Sequence, residues 1–242
     1  MFPARHFLAI GAFSLLAILP ACTEKLAKQT GLTAQDLYTR GQQKSAAGKP
    51  GAAGEAFQVL LERFPNSPLA AKAQLGLADA RMENKEDLEA EVAFDDFIRL
   101  YPANDNISYA LYRKGELLAR QVPDTGRDQS KTVEAVKAFT LAREKNPNGP
   151  YAEKAAAKIG QLRNRLAEHE SNVASHYLRR RNYESAEVRA RRAVSDYPDT
   201  TATPLLMSIL AKAVEKQGRK EEAGEIRGTL AEKFPSGGGK KP

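Results

Sequence analysis

The sequence is poor in the residues that build metal and catalytic centres. Its 242 residues contain no tryptophan, three histidines and a single cysteine. A lone cysteine cannot form an internal disulfide. His169 and His176 are seven positions apart, which on a helix is about 10 Å and too far for one zinc ion. No nucleophile elbow, phosphate-binding loop or dinucleotide fingerprint is present. We therefore expect two surface histidines, no cofactor, no metal and no enzymatic activity.

Long hydrophobic runs are also scarce, and the one that exists lies at the N-terminus. It extends from Phe7 to Leu19, about 13 residues, which is shorter than the roughly 20 needed to span a bilayer. Arg5 precedes it, and small residues follow it. This order of charge, apolar run and small residue is typical of an export signal, which we assign to residues 1–21.

The single cysteine, Cys22, follows that signal directly. Leu19 and Ala21 stand at the −3 and −1 positions of a lipobox, whereas Pro20 is unusual at −2. We predict that Cys22 carries a diacylglycerol thioether and an N-acyl chain, which anchor the protein firmly, and that residues 22–33 are a tether. The alternative is a chance cysteine beside an ordinary signal-peptidase site. Thr23 is not the aspartate that retains lipoproteins in the inner membrane, so the outer membrane, facing the periplasm, is the expected location.

The charge balance is basic, with a formal net charge of +7. In a cytoplasmic protein this would favour nucleic-acid binding. Because the predicted export signal directs the protein out of the cytoplasm, we expect no nucleic-acid partner. Acidic protein surfaces or anionic lipid headgroups are the expected counter-charges.

A repeated spacing organises the rest of the chain. A small residue, an alanine and a proline recur five times, and twelve positions separate successive members in all but one case. The sets are Gly41, Ala53, Pro65; Ala78, Ala90, Pro102; Gly115, Ala135, Pro147; Ala174, Ala186, Pro198; and Ala211, Ala223, Pro235. Small residues allow two helices to cross closely, and a proline ends the second helix. The pattern resembles the tetratricopeptide repeat and predicts an all-α solenoid of about five helix pairs.

Two departures from the spacing divide the predicted solenoid. Residues 121–130 are rich in turn-forming residues and are expected to form a loop inside the third pair. Whether this loop is functional or a tolerated insertion stays open. Residues 151–179 keep a helical period and predict one long helix. We therefore expect an N-terminal half at 34–150, the long helix with a C-terminal half at 151–235, and a disordered tail at 236–242.

Candidate binding residues lie on the first helix of each N-terminal pair, which lines the inner groove of such arrays. Tyrosines alternate there with polar side chains, a mixture suited to an extended peptide. These candidates are Gln35, Tyr38, Gln42, Lys72, Leu75, Asp79, Tyr109, Tyr112 and Glu116. Each of them could instead pack against a neighbouring repeat.

Arginines form a second cluster, in the C-terminal half. Arg179, Arg180 and Arg181 are followed by Arg189, Arg191 and Arg192. We expect inward-facing alanines to leave Arg189 and Arg192 one turn apart on an exposed face. A planar guanidinium can pair with a carboxylate through two hydrogen bonds, which favours a docking surface over a merely solvated face.

With these features in view, the sequence resembles the BamD/ComL family of tetratricopeptide-repeat lipoproteins, which act in the outer-membrane β-barrel assembly (BAM) machinery. The resemblance covers nearly all of the chain after residue 22. Its most specific stretches are residues 97–102, 163–170 and 195–200.

The resemblance implies a non-enzymatic scaffold on the periplasmic face of the outer membrane of a Gram-negative bacterium. Its partners would be a POTRA domain of BamA, other BAM lipoproteins and the C-terminal targeting strand of unfolded outer-membrane β-barrel proteins. Arg189 matches an arginine of the BamA-facing surface, and Phe64 falls where the family has an aromatic residue near the substrate groove. A secretin pilotin, a Tol- or peptidoglycan-linked envelope coordinator, and a peptidoglycan-acting enzyme or activator are the alternatives.

Overall fold

The computed structural model describes residues 29–235, and these residues form ten α-helices and no strand. The helices are α1 (Ala34–Ala46), α2 (Pro50–Arg63), α3 (Ala70–Glu83), α4 (Asp87–Leu100), α5 (Ile107–Arg120), α6 (Ser130–Lys145), α7 (Ala152–Arg179), α8 (Tyr183–Asp196), α9 (Thr203–Lys216) and α10 (Lys220–Lys233). Cys22, the predicted signal 1–21 and the predicted tail 236–242 lie outside the described residues. Between residues 29 and 235, none of the helices combines the length and the apolar character needed to cross a membrane.

Each helix packs against the next along the chain, which produces five antiparallel pairs. In addition, α1 contacts α3 and α7 contacts α9, so successive pairs stack in order. This is the arrangement of a tetratricopeptide-repeat solenoid, and it confirms the predicted all-α fold.

The recurring small residues lie where the paired helices cross. The five alanines of the second helices, Ala53, Ala90, Ala135, Ala186 and Ala223, are all completely buried. Each repeated proline follows the last residue of a second helix by two positions, as Pro65 follows Arg63. The predicted roles of the small residues and the prolines are thereby confirmed.

Four of the five pairs share one tight turn between their helices. In each, the second residue after the first helix adopts a left-handed backbone conformation: Gly48, Lys85, Arg181 and Gly218 have φ angles of 65°, 65°, 61° and 90°. A hydrogen bond reaches back across the turn, for example 3.0 Å from the Asn182 amide to the Tyr177 carbonyl. This is a Schellman motif, in which glycine is the favoured residue.

The third pair has the predicted loop instead of this turn, since α5 ends at Arg120 and α6 begins at Ser130. The long helix is also confirmed, because α7 covers Ala152–Arg179. It contributes Leu162 to the buried cluster of the middle helices and Ala167 to that of the last four. The division into an N-terminal and a C-terminal half stays a prediction.

The last residues of the predicted tether lie against the first helix pair. Arg63 donates a hydrogen bond of 2.8 Å to the Gln29 carbonyl, and Arg40 donates one of 3.1 Å to its side-chain oxygen. Thr33 and Asp36 form a capping box at the start of α1. The chain is therefore held in place from Gln29 onward.

Candidate functional site

A groove of about 650 Å³ runs along the first helices of the N-terminal pairs. Its lining comes from side chains one helical turn apart on α1 and α3, from one ring on α2, from the start of α5 and from the residue before α7. The lining residues are Tyr38, Gln42, Ser45, Phe57, Lys72, Leu75, Gly76, Asp79, Asn106, Tyr109 and Tyr151. Four successive helix pairs thus contribute to one continuous surface.

Aromatic rings form the walls of this groove. Tyr38 lies 5.9 Å from Phe57, and Tyr109 lies 5.3 Å from Tyr151, measured between ring centroids. A β-carbon built at Gly76 would approach the Phe57 ring to 2.8 Å, so the glycine is what allows that ring to lie against α3. The groove therefore offers flat apolar surfaces next to hydrogen-bonding groups, as extended peptides require.

A charged network supports the centre of the groove. Tyr109 donates a 2.8 Å hydrogen bond to Asp79, and the Arg113 guanidinium lies 2.9 Å from the same carboxylate. Arg113 also pairs with Glu83 at 2.9 Å and with Glu116 at 3.3 Å. One arginine thus contacts three neighbouring carboxylates and offsets one of their three negative charges.

Burial changes the titration of this network. It raises the pKa of Asp79, and Arg113 and the Tyr109 hydroxyl oppose that rise. Burial, followed by the adjacent Asp79, raises the pKa of Tyr109. The tyrosine hydroxyl therefore remains a donor at neutral pH, and its hydrogen bond to Asp79 fixes the position of the ring in the groove wall.

The structure gathers most, but not all, of the predicted groove residues. Tyr38, Gln42, Lys72, Leu75, Asp79 and Tyr109 line the groove. Tyr112 is instead 8% exposed and packs its ring 5.4 Å from that of Phe139. Glu116 accepts a hydrogen bond from Arg113, and Gln35 donates one to Thr39.

Phe64, which the family resemblance associated with the groove, does not line it. It is the residue that follows α2 and precedes Pro65, and it packs against the core of the first helix pair. Tyr101, Tyr197 and Phe234 occupy the same place in three other pairs. An aromatic residue that recurs at this position in pairs with and without the groove indicates a role in packing.

The two predicted docking arginines are exposed on α8, as expected. Ala186, Ala190 and Ala193 are buried, and Arg189 and Arg192 lie on the adjacent face. Arg189 pairs with Glu170 of α7 at 3.2 Å, whereas Arg192 pairs with Asp196 of its own helix at 3.3 Å. Both ion pairs are exposed enough for a partner to replace them.

Arg192 borders a cleft of about 500 Å³ between α6, α7 and α8. Its walls include Glu134, Leu166, Asp196 and Tyr197. The cleft brings apolar, acidic and basic groups together next to the two arginines. A partner that docks on α8 could therefore also place a side chain here.

The inserted loop is fixed to the long helix α7 by hydrogen bonds. The sequence did not indicate these contacts. Arg165 donates two hydrogen bonds to the Pro123 carbonyl, one of them 3.0 Å long. The His169 Nδ1 atom lies 2.6 Å from the Thr125 carbonyl, so Nδ1 must carry the proton. Asn172 reaches the Thr125 hydroxyl at 3.3 Å. The expectation of two surface histidines is thus wrong for His169, which is half-buried and forms a hydrogen bond with the loop.

Sequence analysis missed several groove residues, and each omission has a cause. Asn106 and Tyr151 stand outside or at the edge of a helix, where a helical period gives no signal. Arg113, which supports the groove without lining it, was missed because two of its three partners, Asp79 and Glu83, lie on a neighbouring helix thirty or more residues away. In residues 29–235 no group of three or more histidine, cysteine or carboxylate side chains is placed to hold a metal ion.

Comparison with known proteins relates this architecture to a family. Residues 31–228 match the family YfiO, described as outer membrane lipoprotein. The outer membrane protein assembly factor BamD of Neisseria meningitidis serogroup A is 30% identical over 211 residues, covering 83% of this chain and 79% of that protein. The protein of the same name from Caulobacter vibrioides is 28% identical over 239 residues, covering 97% and 78%.

Among solved structures, a thermophilic TPR protein of Thermus thermophilus is 21% identical and has a TM-score of 0.42, covering 84% of this chain and 92% of that one. The family match and the Neisseria relative both extend over most of the chain, so the chain belongs to the BamD (YfiO) family of outer membrane lipoproteins.

Proposed function

We propose that this protein is a non-enzymatic scaffold of the β-barrel assembly machinery, anchored by lipid on Cys22 at the periplasmic face of the outer membrane. It binds BamA through a POTRA domain and receives unfolded outer-membrane β-barrel proteins. Family membership carries the proposal, since relatives that cover most of this chain are named outer membrane protein assembly factors. Other BAM lipoproteins are its further partners.

The groove supports a role in holding an unfolded chain. Four helix pairs contribute to it, and its tyrosine rings alternate with polar groups. Lys72 at its edge is exposed and forms no ion pair within residues 29–235, which leaves a cation available to a peptide carboxylate. An extended strand can stack apolar side chains on the rings and satisfy its backbone along the polar positions.

The exposed face of α8 supports docking of a folded domain. Arg189 and Arg192 are exposed beside a cleft, and their present partners are the half-buried carboxylate of Glu170 and the exposed carboxylate of Asp196. Carboxylates of a POTRA domain can take over these pairs without a large loss of hydration. Substrate and BamA would then occupy different regions of one chain.

Site-specific photo-crosslinking tests both assignments. A photoreactive residue in place of Tyr38 should crosslink to unfolded barrel substrate, and one in place of Arg189 should crosslink to BamA. Glu55 on α2 and Glu225 on α10 are exposed control positions away from both surfaces. If position 189 crosslinks no more BamA than position 225 does, the docking assignment is wrong.

The anchor is tested separately. Cys22→Ala should abolish labelling with radioactive palmitate and release the protein from the membrane fraction. Label retained by the variant would contradict lipidation at this residue.

A further inference from the structure

A mostly apolar pocket of about 340 Å³ opens between the end of α7, the start of α8 and the outer side of α9. Its apolar lining is made by Leu178, Tyr183, Leu205 and Ile209. Leu205 lines this recess and is 40% exposed, so its apolar side chain is open to a ligand. The volume suits one or two large side chains of a ligand.

Four cations surround this pocket: Arg179, Arg181, Lys212 and Lys216. None of them forms an ion pair with another residue between 29 and 235, and no carboxylate belongs to the pocket lining. Among the other arginines of the C-terminal pairs, Arg189, Arg191, Arg192, Arg219 and Arg227 each contact a carboxylate, whereas Arg180, between two of the pocket cations in sequence, forms no ion pair within residues 29–235. The pocket is thus a concentration of positive charge that the fold leaves unneutralised.

One of these cations stands where the backbone favours glycine. Arg181 has a φ angle of 61° in the turn after α7; the equivalent residues are Gly48 and Gly218 in the first and fifth pairs, and Lys85, with a φ angle of 65°, in the second. A side chain in this left-handed conformation destabilises the fold slightly. Arg181 places its charge at the pocket, whereas Lys85, which has the same backbone conformation, lies away from it.

We propose that this pocket binds an acidic peptide segment of a partner protein, with one large apolar side chain in the recess and flanking carboxylates on the four cations. Charge complementarity defines the partner, because an apolar recess ringed by unpaired cations matches an apolar residue flanked by Asp or Glu. A concave site favours a peptide side chain over a flat bilayer surface. None of the pocket residues belongs to the groove or to the Arg189 and Arg192 surface.

Selection from a display library of random peptides tests the ligand class. The full chain is the target, and the double variant Lys212→Glu, Lys216→Glu is the counter-target. Selected peptides should carry Leu, Ile or Phe within a few residues of Asp or Glu, and they should bind the double variant about tenfold more weakly. Circular dichroism establishes that the variant is folded.

A matched pair of glycine substitutions separates binding from stability. Arg181→Gly and Lys85→Gly relieve the same backbone conformation, but only Arg181 lies at the pocket. Both variants should unfold at a higher temperature, because glycine is favoured in this turn. Only Arg181→Gly should weaken binding of the selected peptides.

Three outcomes would overturn the proposal. The first is a selection that returns no apolar peptides with flanking carboxylates. The second is equal peptide binding by wild type, Arg181→Gly and the double variant. The third is displacement of the peptide by vesicles of phosphatidylcholine and phosphatidylglycerol, which would identify the site as a membrane contact.

Discussion

The first three helix pairs and the last two use different residues at the same position of the contact between their two helices. Four positions after the buried alanine of the second helix, the first three pairs have Phe57, Phe94 and Phe139. At that position the last two pairs have Ala190 and Arg227. The three phenylalanines are buried, whereas Arg227 is exposed and pairs with Glu215.

This difference shows how one repeat produces two kinds of surface. Phe57 contributes to the wall of the groove, Phe94 and Phe139 fill the core behind it, and the rings of Phe57 and Phe139 require the small neighbours Gly41 and Gly115. Where alanines pack instead, the outer faces carry arginines joined to carboxylates on adjacent helices. The aromatic pairs suit an extended chain, and the charged pairs suit the surface of a folded partner.

The largest loss of stability should come from removing one of the buried aromatic rings. Phe139→Ala removes a fully buried ring and should lower the free energy of unfolding by about 3–5 kcal/mol. Arg227→Ala, at the equivalent place in the fifth pair, should change it by at most about 1 kcal/mol. Denaturant unfolding followed by circular dichroism measures both. Equal losses would show that the two regions do not differ in the way proposed.

A smaller loss should follow from filling the space beside the same ring. A β-carbon at Gly115 would lie 2.7 Å from the Phe139 ring, so Gly115→Ala should destabilise the protein by about 1–3 kcal/mol. In α10 a β-carbon at Gly224 meets nothing within 4 Å. Gly224→Ala should therefore stabilise its helix by up to about 1 kcal/mol.

Combining Gly115→Ala with Phe139→Leu tests whether the ring is the cause of the clash. The double variant should be more stable than the sum of the two single changes implies, because the smaller side chain makes room for the new methyl group. Strict additivity of the two free-energy changes would contradict a direct contact.

In the charged region, a comparable test concerns Glu187, which links α8 to the turn before α10. Arg219, Arg191 and Gln217 all donate hydrogen bonds to it, the last two at 2.8 Å. The Arg219 hydrogen bond and then those of Arg191 and Gln217 lower its pKa from 4.5 to about 2. Because the pKa is depressed in the folded state, this stabilisation is present above about pH 4.5 and is lost as the pH falls towards 2.

Glu187→Gln should therefore reduce the free energy of unfolding by about 1–2 kcal/mol at neutral pH, since a half-buried carboxylate loses its ion pairs with two exposed arginines. The difference from wild type should shrink as the pH is lowered below about 4.5. Glu232→Gln is the control, because Glu232 is exposed and forms no ion pair within the described part of the chain. A difference that does not depend on pH would exclude the carboxylate as its source.

The helix pairs were predictable from sequence because their signals are local. Alanine and proline spacing located the pairs, and the long helix predicted at residues 151–179 is observed at Ala152–Arg179. A helical period and a proline act within a few residues of the chain, whatever the rest of the fold does.

The details of the groove were less predictable because they depend on how each helix is rotated against the next. Tyr109 and Tyr112 are one turn apart on α5, yet Tyr109 lines the groove and Tyr112 packs inward against Phe139. Tyr151 joins the wall from a loop, and Arg165 contacts the inserted loop from 42 residues away. No local pattern reports such contacts.

The smallest predicted effect concerns the loop that distinguishes the third pair from the other four. His169→Ala removes the Nδ1 hydrogen bond to the Thr125 carbonyl, worth about 1 kcal/mol or less locally, and leaves Arg165 and Asn172 in place. Amide hydrogen exchange in residues 124–129 should become faster, while exchange in α1 to α4 stays unchanged. His176→Ala is the matched control, because His176 is exposed on the same helix and makes no hydrogen bond to the loop. Equal exchange in both variants would mean that His169 does not hold the loop, and that Arg165 and Asn172 join it to the long helix without His169.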